Sequence, residues 1–315
     1  MTDATSDLAN LIRLACVWEA TAAKPGNVHP QASFADLTYS DFVRSADAVA
    51  PILARTAELG VGHAIFTAIQ ATRAVVRSNT NLGIVLLLAP LAAVPTTRTL
   101  RDGLDDVLTR LTREDAVWVY RAIRLAQPGG LGSADAEDVS NEPTGTLLDV
   151  MTLAADRDGV AAQYANRFSW VLDEGAPFLK TVTDFDNQWE PAIIELQLRL
   201  LTAHPDTLIA RKCGRDVAAE TARRAREILE AGGPRTSAGR SLVGDFDRWL
   251  REDGHRRNPG TTADLITACL FAALRDESRL WASFQSAFPD TLATSLTDAV
   301  SAASLAAAPA GRRRR

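Results

Sequence analysis

NPGTTADLITACLFAALR, Asn258 to Arg275, reads as a helix without a water-facing side: from Leu265 to Leu274 apolar residues fall at nearly every angle around the axis, which requires burial all round. Asn258 as N-cap and Pro259 at the first helical position mark its start. Asp264 then lies near the core. A carboxylate secluded without a partner is costly, so a metal ion, a base or a substrate hydroxyl is expected beside it. The other reading is an acid in the second turn answering the positive end of the helix dipole.

The same periodicity runs along the chain. Apolar residues recur three and four apart, Ala, Leu and Arg are abundant, and alternation of β-branched and aromatic residues is scarce, so the fold class is all-α. Helices are predicted near 5–23, 38–59, 60–77, 80–93, 101–109, 113–126, 144–157, 158–172, 174–183, 189–202, 205–230, 239–251, 259–275 and 285–305. Residues 1–305 are expected to form one multi-helix globular domain with its site among helix ends, followed by a disordered basic tail at 306–315 that ends in four arginines. Pro25 to Leu37 reads as an ordered loop, Gln127 to Gly145 as either a functional lid or an excursion, and Ala231 to Arg240 as a turn region.

Bulk composition excludes several classes. With 46% apolar and 23% charged residues the 315-residue chain can bury a sizeable core, and a formal charge of −5 argues against a broad nucleic-acid footprint. The three cysteines, Cys16, Cys213 and Cys269, are far apart and unpaired in pattern, which points to a reducing, cytoplasmic setting. The most apolar stretch, Gly83 to Val94, is too short for a membrane span. There is no Walker A loop, Rossmann fingerprint, HExxH or GxSxG, and His29, His63, His204 and His255 lack metal-ligand spacing.

Three further constellations carry possible chemistry. In EATAAKPGNVHP, Glu19 to Pro30, the Glu19 carboxylate sits beside the apolar stripe of Ile12, Ala15 and Cys16 and needs a cation or donor; Lys24 can meet either that acid or a phosphate, and Gly26 permits close backbone approach. In SNTNLG, Ser78 to Gly83, polar residues precede an apolar helix whose start suits an anion, and Gly83 in the first turn suggests that something comes close. In HPDTLIARKCG, His204 to Gly214, the adjacent cations Arg211 and Lys212 suit a polyphosphate. Each also has a structural reading: an internal ion pair, ordinary capping, a solvated basic face.

Taken in order, EATAAKPGNVHP, SADAVAP at Ser45 to Pro51, NTNLGI, PDTLIARK and NPGTTADL resemble the triphosphoribosyl-dephospho-CoA synthase family from about Ala15 to Arg275. The resemblance implies an all-α enzyme that moves the triphosphoribosyl group of ATP onto the 2′-hydroxyl of 3′-dephospho-CoA and releases adenine. It implies catalytic roles for Glu19, Lys24 and Asp264. Nucleotide contacts are implied for Gly26, Asn27, Asn79, Thr80, Asn81, Gly83, Arg211, Lys212 and Gly260, and Mg²⁺ ligation for Asp206 or Asp264. Better-known members carry His where Asn81 stands, KPGLVD where Lys24 to His29 reads KPGNVH, and an RGEA segment absent here, so the donor half is better matched than the acceptor half. The expected partners are ATP and dephospho-CoA, with a homo-oligomer possible and neither nucleic acid nor membrane. Other readings are the same donor chemistry with a pterin or one-carbon cofactor precursor, a hydrolase, and a silent nucleotide-binding protein. No residue in the sequence stands out as the donor to departing adenine.

Overall fold

The computed structural model describes residues 3–129, 136–183 and 185–276. Among these the regular structure is helical: α1 (Asp3–Thr21), α2 (Tyr39–Leu53), α3 (Thr56–Leu59), α4 (Val61–Val75), α5 (Leu82–Ala93), α6 (Leu100–Leu108), α7 (Arg113–Ala126), α8 (Leu147–Ala154), α9 (Gly159–Ala165), α10 (Ala176–Thr181), α11 (Phe185–Ala203), α12 (Thr207–Cys213), α13 (Arg215–Glu230), α14 (Ser237–Arg251) and α15 (Gly260–Asp276). A π-helical segment, Trp170–Gly175, runs into α10, and a 3₁₀ turn, Gly233–Arg235, precedes α14.

Two helices, α5 and α15, form the centre. Residues 84 to 92 of α5 and 265 to 274 of α15 are all buried, as their unbroken apolar runs require. Around α15 pack α1, α5, α9, α10 and α11. The amphipathic helices of the periphery start on side-chain caps: the hydroxyls of Thr99, Thr112 and Thr146 accept from the N–H three residues on, and Asp115 and Asp149 return a bond to the cap backbone. A second, smaller apolar cluster is built by α11 to α14, with Leu198, Ile209, Ala225, Phe246 and Leu250 among its members. Helix α11 joins the two, since Ile193 and Leu196 face the main core while Ile194 and Leu198 face the smaller one.

The departures from the sequence reading have local causes. The run 38–59 breaks into α2 and α3 where the Thr56 hydroxyl donates to the Leu53 carbonyl at 2.7 Å and closes the first helix. The run 205–230 breaks at Gly214, whose φ of 96° ends α12 and starts α13. The run 158–172 stops early because Arg167 and Phe168 both take left-handed backbone, φ 59°, turning the Phe168 ring fully into the core. Asn258 does not cap α15; its Oδ1 accepts from Asn27 at 2.7 Å, and the helix begins at Gly260. The helix expected at 285–305 and the tail at 306–315 lie outside the described residues. No helix among the described residues is long and apolar enough to cross a membrane.

Candidate active site

A cavity of about 1180 Å³ opens where the ends of α1, α4, α7 and α12 meet the starts of α5, α9 and α15. It exceeds the roughly 300–1,000 Å³ usual for one drug-sized ligand, which leaves room for two nucleotides. Glu19, Asn27, Asn79, Thr80, Asn81 and Gly83 line it, and so do Arg211, Lys212, Gly260 and Asp264. Lys24, Gly26 and Asp206 do not line it.

The acidic corner of the cavity is built on the start of α5. Asp264, one turn into α15, lays its carboxyl over the first turn of α5 against the Ile84 N–H, and a side chain at residue 83 would collide with that carboxyl. The close approach that Gly83 signals is therefore made by the protein's own acid, which fills the anion position of that helix start. Burial, followed by the neighbouring Glu19, Asp206 and Asp158 carboxylates, pushes Asp264 well above the ordinary carboxylate range. Glu19, 3% exposed, faces the same space, and Lys24 lies beneath it with its Nζ 2.9 Å from Glu19 Oε1 and bonded to the Glu19 and Ala22 carbonyls. Lys24 is fully buried, so its ammonium holds the acid and does not reach the cavity.

The polar residues before α5 are mostly committed inward. Asn81 exchanges hydrogen bonds with Thr72 at 3.0 and 3.1 Å, Thr80 shares one with Ser45 at 2.6 Å, and Asn79 Oδ1 accepts from Leu82 N–H at 3.1 Å. Asn27 is likewise a structural tie: its amide donates to Asn258 and accepts from Gln197 at 2.9 Å, and its carbonyl accepts from Arg251 at 2.6 Å. Gly26, with φ 76°, donates to Asp247 at 2.8 Å and is hemmed by Leu250 and Pro259, so its close neighbour is again protein.

Asp206, expected as a metal ligand, is a double cap. One oxygen accepts from Ile209 N–H at 2.9 Å and starts α12; the other accepts from Thr262 N–H at 2.7 Å and its hydroxyl at 2.8 Å and starts α15. It is buried and turned from the cavity, which raises its carboxyl despite those bonds. Among the described residues no group of three or more His, Cys, Asp or Glu side chains is arranged to hold a metal ion.

Sequence reasoning missed several wall residues. Arg77 and Arg157 line the cavity, and their guanidinium groups, like the Lys212 ammonium, have no acidic partner among the described residues; Arg211 is paired with Asp158 at 2.5 Å. Nothing in the local sequence distinguished these arginines from the many on the surface. The Gln127–Gly145 connection does reach the site: Gln127 to Gly129 and Glu137 to Ser140 line it. It is pinned by the Tyr120 hydroxyl donating to the Glu137 carbonyl at 2.7 Å and by Arg124 donating to the Val139 carbonyl at 2.6 Å. Burial and Glu137 push Tyr120 up to about 12. Phe34 and His255 complete an aromatic corner.

The helical frame is shared with a solved protein. The crystal structure of an Archaeoglobus fulgidus protein assigned as a triphosphoribosyl-dephospho-CoA synthase superposes with a TM-score of 0.61 at 25% identity, covering 76% of this chain and 99% of that one. No curated protein matches significantly. A family model described as ATP:dephospho-CoA triphosphoribosyl transferase matches residues 5–283, which includes every helix that walls the cavity. By fold and by sequence, then, this chain belongs to the ATP:dephospho-CoA triphosphoribosyl transferase family.

Proposed function

We propose that the cavity binds ATP and dephospho-CoA side by side and that the triphosphoribosyl group passes from adenine to the acceptor's 2′-hydroxyl at the Glu19–Asp264 corner. The observation that carries this reading is the presence, in the lining of one cavity, of cations without acidic partners among the described residues and of a carboxyl held above its usual range by burial and by a second carboxylate. Lys212, Arg77 and Arg157 meet the triphosphate, with Arg211 held beside them by Asp158. Asp264, whose raised carboxyl suits the task, or Glu19 beside it takes the proton of the attacking hydroxyl. The sugar passes through an oxocarbenium-like state, and the neighbouring carboxylates stabilise its positive charge.

Magnesium fits this arrangement as a companion of the substrate. It binds through one or two carboxylates together with phosphate oxygens, and of the acids that line the cavity Asp264 and Glu19, the buried pair at the corner, would hold it. Bound there, it would neutralise triphosphate charge. Lys24 and Asp206 support the site from beneath by holding Glu19 and the two helix starts.

The test is adenine release measured with ATP and Mg²⁺, with and without dephospho-CoA, and mass spectrometry of the product. Release that requires dephospho-CoA, with an adduct heavier by a triphosphoribosyl unit, supports the reading. Release without acceptor indicates a hydrolase, and ATP binding with no release under any acceptor indicates a silent binding protein. In the active enzyme Lys212→Ala should raise the KM for ATP at least ~10-fold, the worth of one charge-assisted contact of about 1.5 kcal/mol.

A further inference from the structure

We propose that Phe34 and His255 form the seat of the purine that leaves, with the His255 imidazole as its hydrogen-bond partner. The inference rests on the donor reading above and adds the group that the sequence did not supply. Four observations converge on it. The two rings stack with centroids 4.1 Å apart and 28° between planes, and both line the cavity. The lining residues that the Phe34 loop and the start of α2 add are mostly apolar, Val28, Ala35, Leu37 and Phe42, with Asp36 as their one charge. Neither ring nitrogen of His255 has a hydrogen-bond partner among the described residues, and Nδ1 is buried. The His255 backbone is left-handed, φ 62°, directly after Gly254 at φ 55°, a conformation uncommon for a non-glycine residue and one that persists where the surroundings enforce it.

The surroundings are identifiable. The His255 carbonyl accepts from Asn258 N–H at 3.2 Å, and Asn258 is bonded to Asn27, so the ring is tied to the segments that carry Glu19 and Asp264. Burial, then the Arg251 guanidinium, lowers the imidazole below its ordinary value against the pull of Asp36 and Asp247. A neutral imidazole on an aromatic face has one N–H to give, which suits the purine's N7. Stacking on such a face adds to the binding of a base whatever its hydrogen bonds.

In the step, the acceptor oxygen bonds to the anomeric carbon as the bond from that carbon to N9 breaks. The electron pair of the broken bond stays on the purine, the hydroxyl proton goes to a corner carboxylate, and water later protonates the freed base. His255 contributes a hydrogen bond to N7 as the ring gains charge and transfers no net proton.

The experiment compares ATP with 7-deaza-ATP, which lacks that nitrogen, in the wild type, in His255→Ala and in His255→Asn, each first shown to be folded by its melting temperature. Asparagine tolerates the left-handed backbone and offers an amide donor. The wild type should turn over 7-deaza-ATP ~10–100-fold more slowly than ATP; His255→Ala should lose a similar factor on ATP and little more on the analogue, and His255→Asn should recover part of it. Adenine alone, titrated calorimetrically, should bind at least ~10-fold more weakly to His255→Ala and to Phe34→Leu. Equal slowing of both nucleotides, unchanged ATP turnover, or a change confined to the KM for dephospho-CoA would overturn the assignment. Adenine and ATP binding need no transfer, so loss of the purine seat and failure of the transferase reading give different results.

Discussion

At the scale of single residues, the site is organised by one ion pair and one extra acid. Glu19 and Lys24 are 4% and 0% exposed in their side chains, so neither charge has water to fall back on. Removing one partner of such a pair typically costs about 3–5 kcal/mol because the other remains secluded and uncompensated. Lys24→Ala should therefore lower stability in urea by that amount, and a normal midpoint with poor ATP binding would instead return Lys24 to the phosphates. Asp264 is the opposite case. Its carboxyl keeps a proton in the folded protein over a range where the unfolded chain has lost it, so the folded state loses stability as pH rises from about 4. Asp264→Asn keeps the shape without that penalty. It should melt higher than the wild type, by a margin that widens from pH 4 towards neutrality, while adenine release falls at least ~100-fold; a margin independent of pH would contradict the account. These residues show what the sequence could tell. That Glu19 and Asp264 needed partners followed from their apolar neighbours, whereas whether a partner was ligand or protein did not, because Lys24 and Asp206 have the same local signature in either case.

At the scale of elements, helix ends were the legible part and their meeting was not. The recurrence of apolar residues three and four apart, the Pro-Gly stop at Pro25 and Gly26 and the uniform apolarity of α5 and α15 are local signals, and they placed most helices within a few residues. Arg77, Arg157 and His255 reach one cavity because α4, α8 and α14 stop beside it, and Phe34 because the loop between α1 and α2 passes there; no spacing in the chain encodes that. Asp206 displays the same limit: it looked like a ligand and is a clasp between α12 and α15. Asp206→Ala should cost about 2–4 kcal/mol, a cap on each of two helices with buried donors left open, and leave the Mg²⁺ requirement of turnover unchanged. A shift in the Mg²⁺ dependence with intact stability would restore the metal role.

At the scale of the molecule, two apolar clusters raise the question of two folding units. Since α11 presents successive residues to both, neither cluster keeps a complete wall without it. Calorimetry should show a single melting transition for the chain; two separated transitions would mean that α11 to α14 unfold on their own. The part of the cavity lined by Gln127 to Gly129 and Glu137 to Ser140 belongs to this scale as well. The Gln127–Gly145 connection carries no periodic pattern, and its described part folds back on the helix just before it, where Tyr120 and Arg124 hold it.

The clasp made by Asp206 also acts as a ruler. It locks the start of the helix that bears Lys212 to the start of the helix that bears Asp264, so under the proposed function the span from the terminal phosphate to the acid is set by the backbone. A donor with one phosphate fewer must then either give up its terminal grip or slide its sugar away from the acid. ADP should accordingly bind yet release adenine far more slowly than ATP, a measure of chain length written into the geometry of one side chain.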